Sequence, residues 1–459
     1  MVNPLIFREY DIRGLHETDL VPDTVRLIGK AVGTELLRRG AKDMVVGMDV
    51  RTSSPRLKQN LLEGLTSTGI AVHDAGVVPT PALYYAITHL NAGGGVQITG
   101  SHNPRDFNGF KMCHGLSSIY GEQIQDLLKM IKAEDFESGD STVTAINVIP
   151  DYEKDILSRV NLDRPLKVVI DAGNGCGSEV GPKLFETLGC EVIPLYCEFD
   201  GDFPNHLPDP TQLKYVQELI AKVKETGADL GIGYDGDADR IGAIDNLGRF
   251  IPGDRLLGLF AADMLKRNPG ANVIFDVKCS QALPEFITSR GGDPVMWKTG
   301  HSLIKGKMKE MHAPLAGEMS GHIFFSENYH GFDDALYGSC LLAQIISRNG
   351  DLSDLADAIP RYISTAELRV KATDEDKFQV VDELVAHFRK DYDVIDIDGV
   401  RVQFGDGWGL VRASNTQPVL VRRFEARTQE RLAEIADTIL SKVREYPSVD
   451  VSGVSLEVV

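Results

Sequence analysis

The feature that most constrains this chain is a layout that occurs three times: short β-branched runs separated by longer amphipathic stretches, each block closing on a loop dense in polar residues and glycine. Short runs spaced by helical lengths predict βα units built on buried, largely parallel strands. In the first block strands are expected at Met44–Gly47, Ile70–Val72 and Gly95–Ile98; in the second at Leu166–Ile170, Glu191–Pro194 and Asp229–Ile232; in the third at Asn272–Phe275, Pro294–Trp297 and Pro314–Ala316. The closing loops are Thr99-Gly100-Ser101-His102-Asn103-Pro104, Tyr234-Asp235-Gly236-Asp237-Ala238-Asp239-Arg240 and Gly317-Glu318-Met319-Ser320-Gly321-His322. Ligands of open α/β sheets bind beyond the carboxyl ends of the strands. Three such loops at equivalent strand ends therefore predict three α/β domains facing one shared cleft.

The tail departs from this rhythm. A strand at 366–370, a helix at 376–388, a strand-rich stretch at 394–425 and a final helix at 429–446 predict an antiparallel sheet with helices on one face, an α+β domain. Prolines beside polar turns, Pro150, Pro252 and Pro360, mark the joins. The expected domains are 1–147, 148–250, 251–361 and 362–459, which suits a 459-residue chain at about 150 residues per domain.

Charge narrows the partners. With 48 Lys and Arg against 67 Asp and Glu, the net charge of −19 makes a nucleic-acid or anionic-membrane surface a poor partner. An anionic ligand would need locally concentrated positive groups. No apolar run reaches the roughly 18 residues of a membrane span, and the Met1–Arg8 start lacks the basic-then-apolar pattern of a signal peptide. The six cysteines, Cys113, Cys176, Cys190, Cys197, Cys279 and Cys340, form no CxxC pair, so neither a disulfide framework nor a zinc cluster is expected. A cytoplasmic location follows as the expectation.

The aspartate loop carries the clearest chemistry. Three carboxylates in five residues repel one another unless a cation neutralises them, and Gly236 and Ala238 let the backbone curl tightly between them. An EF-hand would need glycine at loop position six and glutamate at twelve, where Arg240 and Asn246 stand. Three single-oxygen ligands with open positions suit Mg²⁺ better. Ser101 lacks the G-x-S-x-G frame of a hydrolase, since Asn103 follows where glycine is required. The adjacent His102 is expected to point away from it on an extended turn. A phosphorylated Ser101 fits better, its charge offset by Lys111, His102 and a metal. Glu318, Ser320 and His322 alternate, which on an extended segment would turn all three to one side as a reader of sugar hydroxyls. Arg412-Ala413-Ser414-Asn415-Thr416-Gln417-Pro418, expected as a loop between strands, offers an anion cradle. The glycines of Asp171–Gly177 break the dinucleotide frame and predict only a strand-to-helix turn.

Together TGSHNP, DGDADR, GEMSGH and RASNTQP, with the FREYDIRG opening, closely resemble the α-D-phosphohexomutases, and within them the phosphomannomutase/phosphoglucomutase branch. The resemblance covers essentially the whole chain. It implies three similar mixed-sheet α/β/α domains and a TATA-binding-protein-like α+β domain around a central cleft. It also implies that Ser101 is the phosphoserine, that Asp235, Asp237, Asp239 and the serine phosphate bind Mg²⁺, and that Arg240 steadies the reacting groups. Glu318 and Ser320 would hold sugar hydroxyls, and Arg412, Ser414, Asn415 and Thr416 the phosphate that is not reacting. Tyr10, Arg13, Lys278 and His301 would also line the site. Phosphate would move between O1 and O6 of mannose and glucose phosphates through a hexose 1,6-bisphosphate, with Lys111, His102 or His301 as the base. A monomer or weak homodimer is expected, with hexose phosphates as the only partners. The rival readings are a phosphoglucosamine mutase, against which Met319 argues, a metal-dependent phosphatase, and a non-catalytic sugar-phosphate sensor.

Overall fold

The computed structural model describes residues 2–373, 375–414 and 419–449, which form four sheets. In each of the first three, parallel strands give way to an antiparallel return. The first sheet sets Ala71–Val77, Asp43–Met48 and Gly94–Ile98 parallel, then turns back through Phe107–His114 and Ile12–Leu15. The second sets Glu191–Leu195, Lys167–Asp171 and Leu230–Tyr234 parallel before the returns Ile241–Asp245 and Phe250–Ile251. The third sets Asp293–Trp297, Asn272–Asp276 and Leu315–Gly317 parallel before Ile323–Phe325 and Phe332–Asp333. All nine expected strands are present, and the architecture is α/β with an α+β tail.

The sheets are more mixed than the β-branched runs predict. The returns escape a search for such runs because they open on Asn108-Gly109 and Gly242 or are only three residues long. They also fix where the polar loops sit: each loop joins the last parallel strand to its antiparallel return, at the same topological place in all three sheets. Asp171–Gly177 is the expected strand-to-helix turn, leading from Lys167–Asp171 into the helix Gly177–Thr187.

The tail forms a six-stranded antiparallel sheet whose long central strands are Gly407–Ala413 and Val419–Ala426. Alternate residues of Val419–Ala426 divide its duties. Leu420 and Phe424 pack with Leu384, Ile435 and Ile439 of the helices Lys377–Phe388 and Gln429–Val443, while Arg423 and Glu425 on the other face reach Lys278 and Gln281.

Two kinds of cohesion follow. A single apolar cluster runs from Val45 through Ile170 and Ile232 to Phe275 and Ile359, so the first three sheets share a core on one face, while their other faces pack in separate clusters around Val46, Val169 and Ile274. The tail has its own core. It meets the rest through a small apolar contact of Val277 with Trp408 and Leu410, and through polar bonds such as those from Arg401 to the Val277 and Cys279 carbonyls. All six cysteines are free thiols. Among the described residues no helix is long and apolar enough to cross a membrane.

Candidate active site

Ser101 stands at the end of Gly94–Ile98, whose five residues are all buried. Its φ of +48° is a left-handed conformation that side-chain-bearing residues rarely adopt, so surrounding bonds must hold it. Four of the bonds that hold this turn come from one residue the sequence reading did not single out. The Arg51 guanidinium, 1% exposed, donates to the carbonyls of Ser101 (2.7 Å), Asn103 (2.6 Å), Pro104 (2.7 Å) and Phe107 (3.2 Å), and pairs with Asp49 at 3.1 Å. The same left-handed turn overturns the expectation that Ser101 and His102 diverge. Neighbours alternate only on extended backbone, and here Ser101 Oγ lies 3.1 Å from His102 Nδ1. Burial, with Arg240 and Arg13 nearby, holds the His102 imidazole well below its ordinary range and therefore neutral.

Ser101 Oγ donates to Asp235 Oδ2 at 2.8 Å across 134 residues of sequence. Asp235, Asp237 and Asp239 are fully buried, each with an oxygen within 4.8 Å of the others. Ala238, at φ +57°, tightens the loop, and Asp235 Oδ1 accepts from the amides of Asp239 and Arg240, both at 3.1 Å. Thr80, the first residue of the helix Thr80–Leu90 that packs on the first sheet, clamps it from outside, its hydroxyl 2.5 Å from Asp237 Oδ2 and its amide 2.9 Å from the Asp237 carbonyl. Lys111 Nζ bonds Asp237 at 2.6 Å and also Asp239. Burial alone would lower that ammonium's pKa, but the three carboxylates hold it well above the ordinary lysine range. Burial and its two neighbours push the Asp235 carboxyl well up, whereas for Asp239 the pull of Lys111 and His322 overcomes burial.

A divalent metal fits this donor set on one observation: Asp237 Oδ1 and Asp239 Oδ1 are buried with no hydrogen-bond partner among the described residues, although such atoms are normally satisfied.

The third loop brings Glu318, Ser320 and His322 together, but by a turn rather than by extension. The Gly321 amide bonds the Glu318 carbonyl at 3.1 Å and the Glu318 amide bonds the His322 carbonyl at 2.9 Å, folding the segment on itself. His322 Nδ1 lies 2.7 Å from Glu318 Oε2, Ser320 Oγ lies 3.2 Å from the same oxygen, and His322 Nε2 reaches Asp239 at 3.3 Å. Burial and Arg240 act against a charged His322, yet Asp239 and Glu318 raise it to about 9. Against the same burial, His322 and Lys278 lower Glu318 to about 2. Arg240 Nε sits 3.3 Å from His322 Nε2 and 3.9 Å from Asp235, linking the aspartate loop to the Glu318–His322 loop. His301 stacks on His322 with ring centres 5.6 Å apart and lies 6.5 Å from the Tyr10 ring. Burial and the charges of Lys305 and Lys111 keep it well below the ordinary histidine range.

The remaining residues are placed less directly. Tyr10 Oη donates to the Thr299 carbonyl at 2.8 Å, beside His301. Arg13 pairs with Asp11 at 2.5 Å, and Lys278 with Glu367 at 3.2 Å. Arg412 is not in a loop: it is the penultimate residue of Gly407–Ala413, where the sheet ladder continues past the expected turn, and it pairs with Asp398 at 3.0 Å. Ser414 is buried and its amide bonds the Val419 carbonyl at 3.0 Å. Asn415 and Thr416 lie outside the described residues. Arg51, Thr80, Glu367 and Asp398 were missed. Only Arg51 carried a local signal, the polar Asp49–Ser54 stretch that closes the strand Asp43–Met48 as the three polar loops close theirs.

Comparison with known proteins agrees with this geometry. The sequence matches the phosphoglucomutase/phosphomannomutase family in four consecutive parts: α/β/α domain I over residues 4–138, domain II over 150–248, domain III over 252–362 and the C-terminal domain over 367–442. A phosphomannomutase/phosphoglucomutase of Pseudomonas syringae pv. tomato is 50% identical over 97% of this chain and 96% of its own length. A phosphoglucomutase of Neisseria meningitidis serogroup A is 45% identical over 97% of this chain and 98% of its own. The crystal structure of a phosphoglucomutase/phosphomannomutase family protein from Burkholderia thailandensis superposes with a TM-score of 0.92 at 43% identity, covering 97% of this chain and 98% of that one.

Proposed function

The chain belongs to the phosphoglucomutase/phosphomannomutase family of α-D-phosphohexomutases, and on that footing we propose that it moves phosphate reversibly between O1 and O6 of glucose and mannose phosphates through a phosphorylated Ser101. The observation that carries this reading is the Ser101 hydroxyl 2.8 Å from Asp235, the first of three mutually close carboxylates on a different sheet. A hydroxyl that is to carry phosphate beside a cation needs this juxtaposition, and a structural serine does not.

Phosphoserine 101 gives its phosphoryl group to the 6-hydroxyl of a hexose 1-phosphate. The bond from phosphorus to Ser101 Oγ breaks as the bond to O6 forms, and the hydroxyl proton passes to a base. The hexose 1,6-bisphosphate turns over in the cleft and returns its O1 phosphoryl group to Ser101. Asp235, Asp237, Asp239 and the serine phosphate would hold Mg²⁺, which when bound neutralises charge on the transferring group. Lys111 and Arg240 add fixed positive charge on the protein side. Lys111, His102 and His301 are the candidate bases: burial and nearby cations hold the two histidines neutral, and the three carboxylates hold the proton on Lys111 until a cation neutralises them.

Glu318, fixed as an ionised acceptor, and Ser320 would bind the sugar's 3- and 4-hydroxyls, with His322 alongside. Because O3 and O4 exchange places when the bisphosphate turns, one pair reads both orientations. Glucose and mannose differ only at C2, which this pair does not address, so both are substrates. Arg412, Ser414, Asn415 and Thr416 would grip the distal phosphate, with Tyr10, Arg13 and Lys278 lining the approach. We keep the division 1–147, 148–250, 251–361 and 362–459, a cytoplasmic location and a monomer or weak homodimer as parts of this proposal.

The test is a coupled assay on glucose 1-phosphate and mannose 1-phosphate, with intact-mass analysis of the wild type and Ser101→Ala. The wild type should carry one phosphate and turn over both sugars, and the variant should carry none and lose at least about 10³-fold in rate, the scale on which a covalent route fails. An alanine variant of undiminished speed, or a thousandfold preference for one epimer, would refute the respective half of the reading.

A further inference from the structure

The contacts around Asp398 differ from the backbone ties beside them at the interface between the tail and the third sheet. Arg401, Arg423 and Glu425 tie the tail to residues 277–281 through backbone atoms. Asp398 instead joins a substrate-facing arginine to a substrate-facing loop. Its carboxylate accepts from Arg412 Nε at 3.1 Å and pairs with Nη2 at 3.0 Å, and its Oδ2 also accepts the Thr299 amide at 3.0 Å. Gly399, at φ +99°, allows the close approach, because a Cβ there would strike Arg412 Cβ at 2.6 Å.

From Thr299 the bonds spread through the site. Its carbonyl accepts Tyr10 Oη at 2.8 Å, and its hydroxyl donates to Asp276 Oδ2 at 3.0 Å. Asp276 Oδ1 accepts the Met319 amide at 3.1 Å, and the Gly300 amide donates to Glu318 Oε1 at 2.5 Å. Three residues, Thr299 to His301, thus touch the first sheet, the tail and the sugar carboxylate together.

We propose that Asp398 is the positioning residue that couples Arg412 to the Thr299–His301 loop, so that capture of the distal phosphate by the tail sets Glu318 for the sugar. This rests on the mutase reading above. A carboxylate on the Nε–Nη2 edge of Arg412 orients the planar fork and leaves Nη1 without a hydrogen bond among the described residues. Movement of that fork onto phosphate is then felt at the Thr299 amide. Asp398 touches neither sugar nor phosphate. Its loss should loosen retention of substrate and bisphosphate while leaving transfer from a saturated enzyme intact.

The experiment compares full-length wild type, Asp398→Ala and the isosteric Asp398→Asn, each phosphorylated at Ser101. It measures KM for glucose 1-phosphate, the glucose 1,6-bisphosphate needed for half-maximal steady rate, and single-turnover transfer at saturating sugar. Asp398→Ala should raise KM and the bisphosphate requirement each by about tenfold, with single-turnover transfer within about twofold of wild type. Asp398→Asn, which keeps an acceptor for Thr299 but loses the charge, should fall between. Wild-type values in both variants overturn the proposal, as does a loss of single-turnover transfer as large as the steady-state loss. A wild type that forms no phosphoserine and turns over neither sugar sinks the mutase reading itself, before any variant is compared.

Discussion

At the scale of the residue, the Ser101 turn is held by a guanidinium as well as by its own neighbours. Four carbonyls of the Ser101 loop converge on Arg51, and a Cβ on Gly100 would meet Arg51 Nε at 2.3 Å, so nothing larger than glycine fits between them. Lysine keeps the charge but not the fork. Arg51→Lys should leave two or three carbonyls without partners at about 1–3 kcal/mol each. Part would appear as a lower melting temperature and part as relaxation of the strained turn. The expected outcome is a kcat reduced about 100-fold with KM for glucose 1-phosphate within about threefold, read from steady-state kinetics beside thermal unfolding. The types and spacing of the candidate site residues were legible in the sequence, because a serine, three alternating aspartates and a glutamate–serine–histidine run are local patterns. Arg51's role was not, since it depends on carbonyls about fifty residues away meeting in one place. Nor was the Ser101–His102 contact, which turns on one backbone dihedral that no residue type dictates.

At the scale of the element, strands were legible where β-branched runs survived, and return strands were lost where glycine or asparagine interrupted them. The joints between elements show a similar divide. Gly300, at φ +133°, lies against Tyr10 so closely that a Cβ would meet its ring at 2.6 Å. Gly300→Ala should displace the loop that gives its amide to Glu318, raising KM about tenfold or more and lowering kcat, as steady-state assays would show. The Lys278–Glu367 pair makes a pH-dependent joint between the third sheet and the tail. Burial disfavours the charged form of Glu367, but Lys278 and Arg369 lower its pKa from 4.5 to about 2. A carboxyl depressed in the fold adds stability that is fully present above 4.5 and is lost as the pH falls toward 2. Glu367→Gln should therefore weaken docking of the tail by about 1–2 kcal/mol at pH 6, after allowing for partial exposure. The difference from wild type should shrink steadily between pH 4.5 and pH 2, measured by denaturant unfolding of both proteins.

At the scale of the whole molecule, the first three sheets share a core on one face and the tail keeps its own, so calorimetry should resolve a large transition from a smaller one. The aspartate loop belongs to the larger block, and Ser101 and Thr80 bind it to the first sheet. Magnesium chloride at about 100 times its dissociation constant should stabilise that block by about 2.7 kcal/mol, leave the smaller transition in place, and lose its effect in Asp239→Asn. Sodium chloride at equal ionic strength should not reproduce the shift. The reason lies in Lys111, whose ammonium already rests between Asp237 and Asp239. Any incoming ion must share those carboxylates with a tethered amine that keeps its place beside them. A monovalent newcomer gains less than a doubly charged one from the negative charge left over, and the tethered amine thereby sorts ions by valence.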